Sequence, residues 1–309
     1  MHWRIKGVVQ KVLGVLPGGT LLHYGLQRRF GGLRDFEREF ACKVDDWSIM
    51  TRHLRNAGQP IGGACLVEIG TGWYPTFPLA CYLAGARAVE TFDLNRHLRP
   101  ELTARCIELL GSHLEHIANA SGADIEQVRH RYALLSSHAK PSRDLEAATS
   151  GVIRYHAPAD ATRTGLPAGS IDMVFSNSVL EHVPPEVITR LYTESRRILA
   201  PGGLMFHSVN CGDHYAYVDR RLHQLHYLQY SSRAWSFWNN AFLYQNRLRA
   251  HRFVEDAAAA GFQIVLDTAT ARNENLARLC SMRVAPEFAD IPRERLCITS
   301  VDFIGRATA

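Results

Sequence analysis

The sequence predicts an α/β protein built on a doubly wound, seven-stranded, mostly parallel sheet, and three observations carry that prediction. Short apolar runs alternate with longer segments whose apolar residues recur at helical spacing. The first two runs, residues 64–69 and 88–92, end in Gly70-Thr71-Gly72 and in Asp93, as buried parallel strands do where they approach a ligand. With 309 residues, 46% of them hydrophobic and 21% charged, the chain can bury the core such a sheet needs.

Residues 1–60 read as a helical N-terminal extension, a cap broken at Pro17-Gly18-Gly19, in which Asp45 or Asp46 starts a helix carrying Trp47, Met50 and Leu54. The main domain follows over residues 61–309. Its first strand is residues 64–69, then a helix over 78–84 closed by Gly85, then a second strand over 88–92. Residues 96–150 form a helical insertion, because Leu102, Cys106, Leu109, Leu110, Leu114 and Ile117 recur at helical spacing, as do Ile125, Val128, Tyr132 and Leu135. A third strand lies near residues 152–156 and a fourth over 171–176. Pro184 and Pro185 open a helix whose buried side is Val187, Ile188, Leu191, Tyr192, Ile198 and Leu199. Pro201-Gly202-Gly203 ends it ahead of a fifth strand over 204–209. An aromatic-rich helical insertion occupies 212–248, and a helix over 249–260 stops at Gly261. Residues 262–267 and 296–304 complete the sheet, and no internal repeat or low-complexity segment interrupts the pattern.

Composition narrows the function. A net charge of +5 is too mild for a dedicated nucleic-acid binder, and the seven scattered cysteines form no CxxC pair, which fits a reducing compartment and supplies no zinc site. No apolar stretch is long enough to span a bilayer, and Lys11 interrupts the apolar run after Gly7, so neither a transmembrane helix nor a secretory signal is expected. The expected location is cytoplasmic. Arg4, Lys6, Lys11, Arg28, Arg29 and Arg34 precede the first acid, Asp35, and Trp3, Val8, Val9, Val12, Leu13 and Leu16 lie among them. This segment reads first as a helix packed over the main domain and second as a basic amphipathic helix on a membrane surface.

Glycines at the end of a first strand let the backbone approach a ligand, and Asp93, at the end of the second, can accept hydrogen bonds from both hydroxyls of a ribose. That much suits a nicotinamide-dependent oxidoreductase as well as other nucleotide enzymes. Further motifs separate them. Glu68-x-Gly70-x-Gly72, Asp93, Asp160-Ala161, the segment Asp172-x-Val174-x-Ser176-Asn177-Ser178-Val179-Leu180-Glu181-His182-Val183, and Leu199-Ala200-Pro201-Gly202-Gly203-Leu204 together resemble the successive motifs of class I S-adenosylmethionine-dependent methyltransferases. The resemblance spans residues 60–210 and the helix and strand around 249–268. It implies a Rossmann-like sheet and S-adenosylmethionine as cofactor. It further implies that Gly70, with Thr71 and Gly72, approaches the methionine portion and that Glu68 organises that loop and the amine. Asp93 would hold the ribose and Leu94 pack on the adenine, Asp160, with Ala161, would meet the adenine amino group, and Asn177 would present its backbone to the methionine end. The chain departs from the family pattern where Tyr74 replaces a third glycine, which leaves Trp73-Tyr74-Pro75 a bulkier loop.

Methyl transfer from a sulfonium is mainly a matter of alignment, and an oxygen acceptor also needs a base. His182 follows the fourth strand and His207, Asp213 and His214 accompany or follow the fifth, so these four are the candidate catalytic residues. Glu181-His182 also resembles a pair in quinone-ring O-methyltransferases, where a divalent metal has a part, but two ligands are too few to assign a metal. The aromatics of residues 214–244 are expected to fold over the acceptor, with Arg220, Arg221, His223 and His226 available to a phosphate. That region resembles methyltransferases of bacterial surface-polysaccharide and secondary-metabolite synthesis. The expected acceptor is therefore a small molecule, a sugar, a phosphorylated compound or an aromatic natural product. Nucleic-acid bases are excluded, because Ser176-Asn177-Ser178-Val179 stands where amino-methylating enzymes carry an Asn/Asp-Pro-Pro-aromatic turn. A non-catalytic cofactor-binding scaffold is the remaining alternative, and a homo-oligomer is compatible with the sequence.

Overall fold

Alternation along the strands decides which helices cover which face of the sheet. The structure, a computed structural model, describes residues 2–138 and 145–308, so residues 139–144 of the expected insertion lie outside the described residues. The strands are β1 (Cys65–Ile69), β2 (Ala88–Phe92), β3 (Ile153–His156), β4 (Ile171–Asn177), β5 (Leu199–Asn210), β6 (Phe262–Asp267) and β7 (Ser300–Ala307). They form one sheet in the order β3-β2-β1-β4-β5-β7-β6. Leu66, Met173 and Phe206 face one side and Val67, Val174 and Met205 the other, as a period of two requires.

The helices are α1 (Trp3–Val15), α2 (Gly19–Phe30), α3 (Phe36–Asn56), α4 (Thr76–Leu83), α5 (Pro100–Leu110), α6 (Leu114–Ser121), α7 (Ile125–His138), α8 (Leu145–Ala148), α9 (Pro185–Ile198), α10 (Ser232–Ser236), α11 (Ala250–Ala259), α12 (Asn273–Cys280) and α13 (Arg293–Leu296). The first face is covered by the apolar sides of α3 to α8, the second by α9 and α11. A third cluster gathers Trp3 with Tyr215, Tyr227, Trp235, Leu279 and Leu296, away from the sheet.

Three expectations change. Asp45 and Asp46 do not cap a helix: they lie inside α3, whose N-cap is Asp35, accepting from the Arg38 N–H at 3.4 Å. The reason is that Phe40, Val44, Trp47, Met50 and Leu54 make one uninterrupted buried stripe, so the helix runs through both aspartates. β7 begins at Ser300 and runs antiparallel to both β5 and β6. The link from β6 carries α12 and α13, whose Leu279 and Leu296 pack into the third cluster and not onto the sheet, so no crossover helix turns the chain back to a parallel pairing. Residues 212–248 pack around α1: the Trp3 ring lies 5.3 Å from Tyr215, 5.1 Å from His226 and 4.6 Å from Trp238, and the Trp3 backbone N–H donates to Asp219 Oδ2. Arg221 is paired with Asp219 and His226 with Asp213.

Candidate active site

The order of the strands reverses between β1 and β4, and at the carboxyl ends of β1, β2 and β4 a cavity of about 790 Å³ opens. Its lining contains Glu68, Gly70, Thr71, Gly72, Asp93, Leu94, Asp160, Ala161 and Asn177, so the nine candidate cofactor residues converge on one space.

The turn after β1 is built by two left-handed glycines. Gly70 (φ +83°) donates to the Phe92 carbonyl, and a Cβ built on it would fall 2.6 Å from Val179 Cγ2, so the loop after β4 packs where a side chain would be. Gly72 (φ +76°) has open space over it, and its N–H donates to Asp93 Oδ2 at 3.1 Å. Beneath the turn, Glu68 is 5% exposed and accepts from Thr71 Oγ1 at 2.8 Å and Thr91 Oγ1 at 2.7 Å. Burial pushes the Glu68 carboxyl up to about 7, against the pull of those two hydroxyls. Asp93 accepts from Tyr155 as well as from Gly72, and burial pushes it up to about 6. Asp160 sits at the rim, accepts from the Thr162 N–H at 2.8 Å, and is held low by that bond.

The loop after β4 is strained. Ser178 takes φ +55°, which carries its N–H to the Ser208 carbonyl and sets Val179 against Gly70. Asn177 Oδ1 accepts from Lys43, a residue of α3 that lines the cavity and was not identifiable from the sequence. Nothing local marks Lys43, because its partner lies 134 residues downstream. Trp73 and Tyr74 also line the cavity, with Tyr74 edge-on to Phe36 at 4.9 Å and Trp73 edge-on to Tyr24 at 5.5 Å.

The four candidate catalytic histidines and aspartate separate sharply. His182 lines the cavity, and its Nδ1 lies 2.6 Å from the Tyr244 carbonyl oxygen. A carbonyl only accepts, so Nδ1 carries the proton and Nε2 keeps its lone pair. Burial lowers His182, which is therefore neutral at pH 7. His207 is corrected: it lies within β5, paired in register with Ser176, and it is absent from the cavity wall. It is fully buried, bonded through Nδ1 to Ser176 Oγ at 2.7 Å, set against Tyr192 and Phe303, and pushed down to about 3 by burial. Asp213 is corrected likewise. It is fully buried, bonds the Tyr215 N–H at 2.8 Å and His226 Nδ1 at 2.7 Å, and is absent from the cavity wall.

His214 stands behind His182, ring centroids 4.8 Å apart, and burial pushes it down to about 3. Its Nε2 is 4.0 Å from Oε1 of Glu181, a buried carboxyl pushed up to about 8 by burial. The sequence offered two residues of this kind, and the fold adds a third: candidate ligand atoms of Glu181, His182 and His214 lie within 4.8 Å of one another. Burial is the largest cause at each of the three and disfavours its charged form, raising Glu181 and lowering His182 and His214.

The cavity fits S-adenosylmethionine. The donor carries a sulfonium and an ammonium group, and Glu68 and Asp93 supply carboxyls at its floor while open space above Gly72 admits a close backbone approach. No curated protein matches the chain. Among solved structures it is similar to an S-adenosylmethionine-dependent methyltransferase from Mesorhizobium loti, at 16% identity over 82% of this chain and 95% of that one, with a TM-score of 0.44. It is also similar to a geranyl diphosphate C-methyltransferase from Streptomyces coelicolor, at 11% identity over 89% of this chain and 84% of that one, with a TM-score of 0.46. Residues 45–266 match a family described as a methyltransferase domain, which decides against the nicotinamide alternative. The chain therefore belongs to the methyltransferase-domain family and is a class I S-adenosylmethionine-dependent methyltransferase.

Proposed function

We propose that the enzyme methylates a hydroxyl oxygen of a small-molecule acceptor in a biosynthetic reaction, with His182 as the base. The observation that carries this reading is the tautomer of His182: Nδ1–H is held by the Tyr244 carbonyl, which leaves Nε2 as the basic atom of a side chain that lines the cavity. An amine brings its own lone pair to the methyl group, whereas a hydroxyl must lose a proton as the new bond forms. The acceptor oxygen attacks the methyl carbon in line with the departing sulfur, the sulfur keeps the carbon–sulfur bonding pair, and the hydroxyl proton passes to Nε2. Histidine is suited to this because its ordinary pKa is near neutrality and burial keeps it deprotonated.

In this reading Asp93 accepts from the ribose hydroxyls, Glu68 faces the methionine amine through the glycine turn, Leu94, Asp160 and Ala161 border the adenine, and Asn177 presents its backbone beside the methyl donor. Lys43 adds a cation that complements the methionine carboxylate. The methyltransferase domain, expected over residues 61–309, then takes in α3 as well, whose Phe40, Trp47 and Leu54 share the core of the sheet's first face, and α1 and α2 remain as the N-terminal cap. Trp73, Tyr74, Val183 and Val187 favour an aromatic or natural-product acceptor over a sugar, because planar and apolar surfaces bury well against them.

The test is methyl transfer from radiolabelled S-adenosylmethionine to a panel of phenols, sugars and amines, with wild type and His182→Gln. A phenol should be methylated, and His182→Gln should lower kcat by about 10²- to 10⁴-fold with little change in the affinity for the donor. An active variant within a factor of about two of wild type, or an enzyme that methylates amines alone, contradicts the proposal.

A further inference from the structure

The N-terminal hairpin turns its apolar side outward. On α1, Ile5, Val8, Val9, Val12 and Val15, continued by Leu16, are exposed, at the i, i+3, i+4, i+7 spacing of a single helix face. Leu22 and Leu26, one turn apart on α2, are exposed as well. The opposite face of α1 is already occupied: Trp3, Gly7 and Gln10 are buried, and a Cβ on Gly7 would fall 2.9 Å from the Tyr215 hydroxyl and 3.0 Å from Trp238. The outer stripe is thus not a core face awaiting the rest of its own domain.

Its charge points to the occupant. Arg4 and Lys11 flank the stripe, Arg28, Arg29 and Arg34 follow on the second helix and the turn after it, and no acidic residue occurs before Asp35. Apolar side chains rimmed by cations of one sign match an anionic lipid surface, where the apolar stripe enters the headgroup boundary and each basic residue adds about fivefold in affinity. Among the described residues no helix is long and apolar enough to cross a membrane, so the association is peripheral. We propose that α1 and α2 dock this enzyme on an anionic bilayer. The docked hairpin adjoins the cavity, because Tyr24 of α2 meets Trp73 of the cavity wall. The proposal does not depend on which acceptor atom is methylated.

The test is co-sedimentation of the full chain with vesicles of phosphatidylcholine alone and of three parts phosphatidylcholine to one part phosphatidylglycerol. Val8 and Val12 are half exposed, so V8D/V12D should fold, with a thermal midpoint like that of wild type. R28E/R34E, also on exposed positions, leaves the stripe intact and removes the charge match. The proposal predicts at least about tenfold stronger binding to the anionic vesicles, weakened by added salt, by V8D/V12D and by R28E/R34E. Absence of binding to either vesicle, equal binding to both, or a dimer in solution that V8D/V12D dissociates would overturn it, the last by assigning the face to a second copy of the chain.

Discussion

Replacing Gly70 with alanine should damage the site through two separable effects whose sizes follow from the geometry. At φ +83° an L-residue costs about 1–2 kcal/mol of backbone strain. The new Cβ would also stand 2.6 Å from Val179 Cγ2 and 3.2 Å from Cγ1. Valine is stiff about χ1, and Ser178 before it is already held at φ +55°, so the neighbour cannot simply swing away. Overpacking of this kind costs about 1–3 kcal/mol, for a total of about 2–5 kcal/mol and a fall in thermal midpoint of roughly 4–15 °C in a chain of this size. Gly72→Ala supplies the control: its φ of +76° is equally unfavourable, but nothing lies within 4 Å of the added atom, so only the backbone cost of about 1–2 kcal/mol remains. Val179→Ala in the Gly70→Ala background should recover about 1 kcal/mol or more, which a double-mutant cycle by thermal or denaturant unfolding resolves. Equal losses for Gly70→Ala and Gly72→Ala, with no coupling between Gly70 and Val179, would refute the reasoning that the two loops interlock.

Asp93→Ala should weaken binding of S-adenosylmethionine by about 100-fold or more, since hydrogen bonds to a charged group contribute about 1.5–3 kcal/mol each and the ribose loses both. Calorimetric titration checks this, and an affinity within about threefold of wild type removes Asp93 from the ribose site. Glu181→Gln should alter the pH dependence of stability. The Glu181 carboxyl is raised to about 8 in the folded chain, above its unfolded value, so its contribution is complete below pH 4.5 and is lost as pH rises through 8. Gln does not titrate, so the variant should gain thermal stability relative to wild type between pH 6 and pH 8.5, and parallel melting curves across that range would show that Glu181 ionises normally.

The nucleotide end of the site was legible because its signals are local. A buried parallel strand is a short apolar run, and β2 and β6 fall on the residues the runs mark. Glycines and an aspartate at strand ends announce the crevice, and Glu68, Gly70, Gly72 and Asp93 accordingly meet there. Long-range pairings were not legible. Nothing near Lys43 points to Asn177, and nothing near Glu181 points to His214, because those meetings depend on how α3 and the segment after β5 are laid over the sheet. His207 lies inside the strand expected over 204–209, but only the fold shows what its ring meets, Tyr192 of α9 and Phe303 of β7. The aromatic segment after β5 carries the same composition whatever it packs on, and the contacts of Tyr215 and Trp238 with Trp3 join distant parts of the chain. The antiparallel run of β7 is equally invisible, since direction is set by where α12 and α13 find their core.

The central claim is that the cavity binds S-adenosylmethionine through Glu68 and Asp93, and calorimetric titration of the purified chain with S-adenosylmethionine and with NAD at pH 5.5 and pH 8 tests it most directly. Burial raises Glu68 to about 7 and Asp93 to about 6, so both are largely protonated at pH 5.5 and ionised at pH 8. A donor bearing a sulfonium and an ammonium group favours the ionised forms, so binding should be at least about tenfold tighter at pH 8, with proton release between the two. Heat with NAD and none with S-adenosylmethionine, or an affinity for the donor that does not change with pH, would contradict the account.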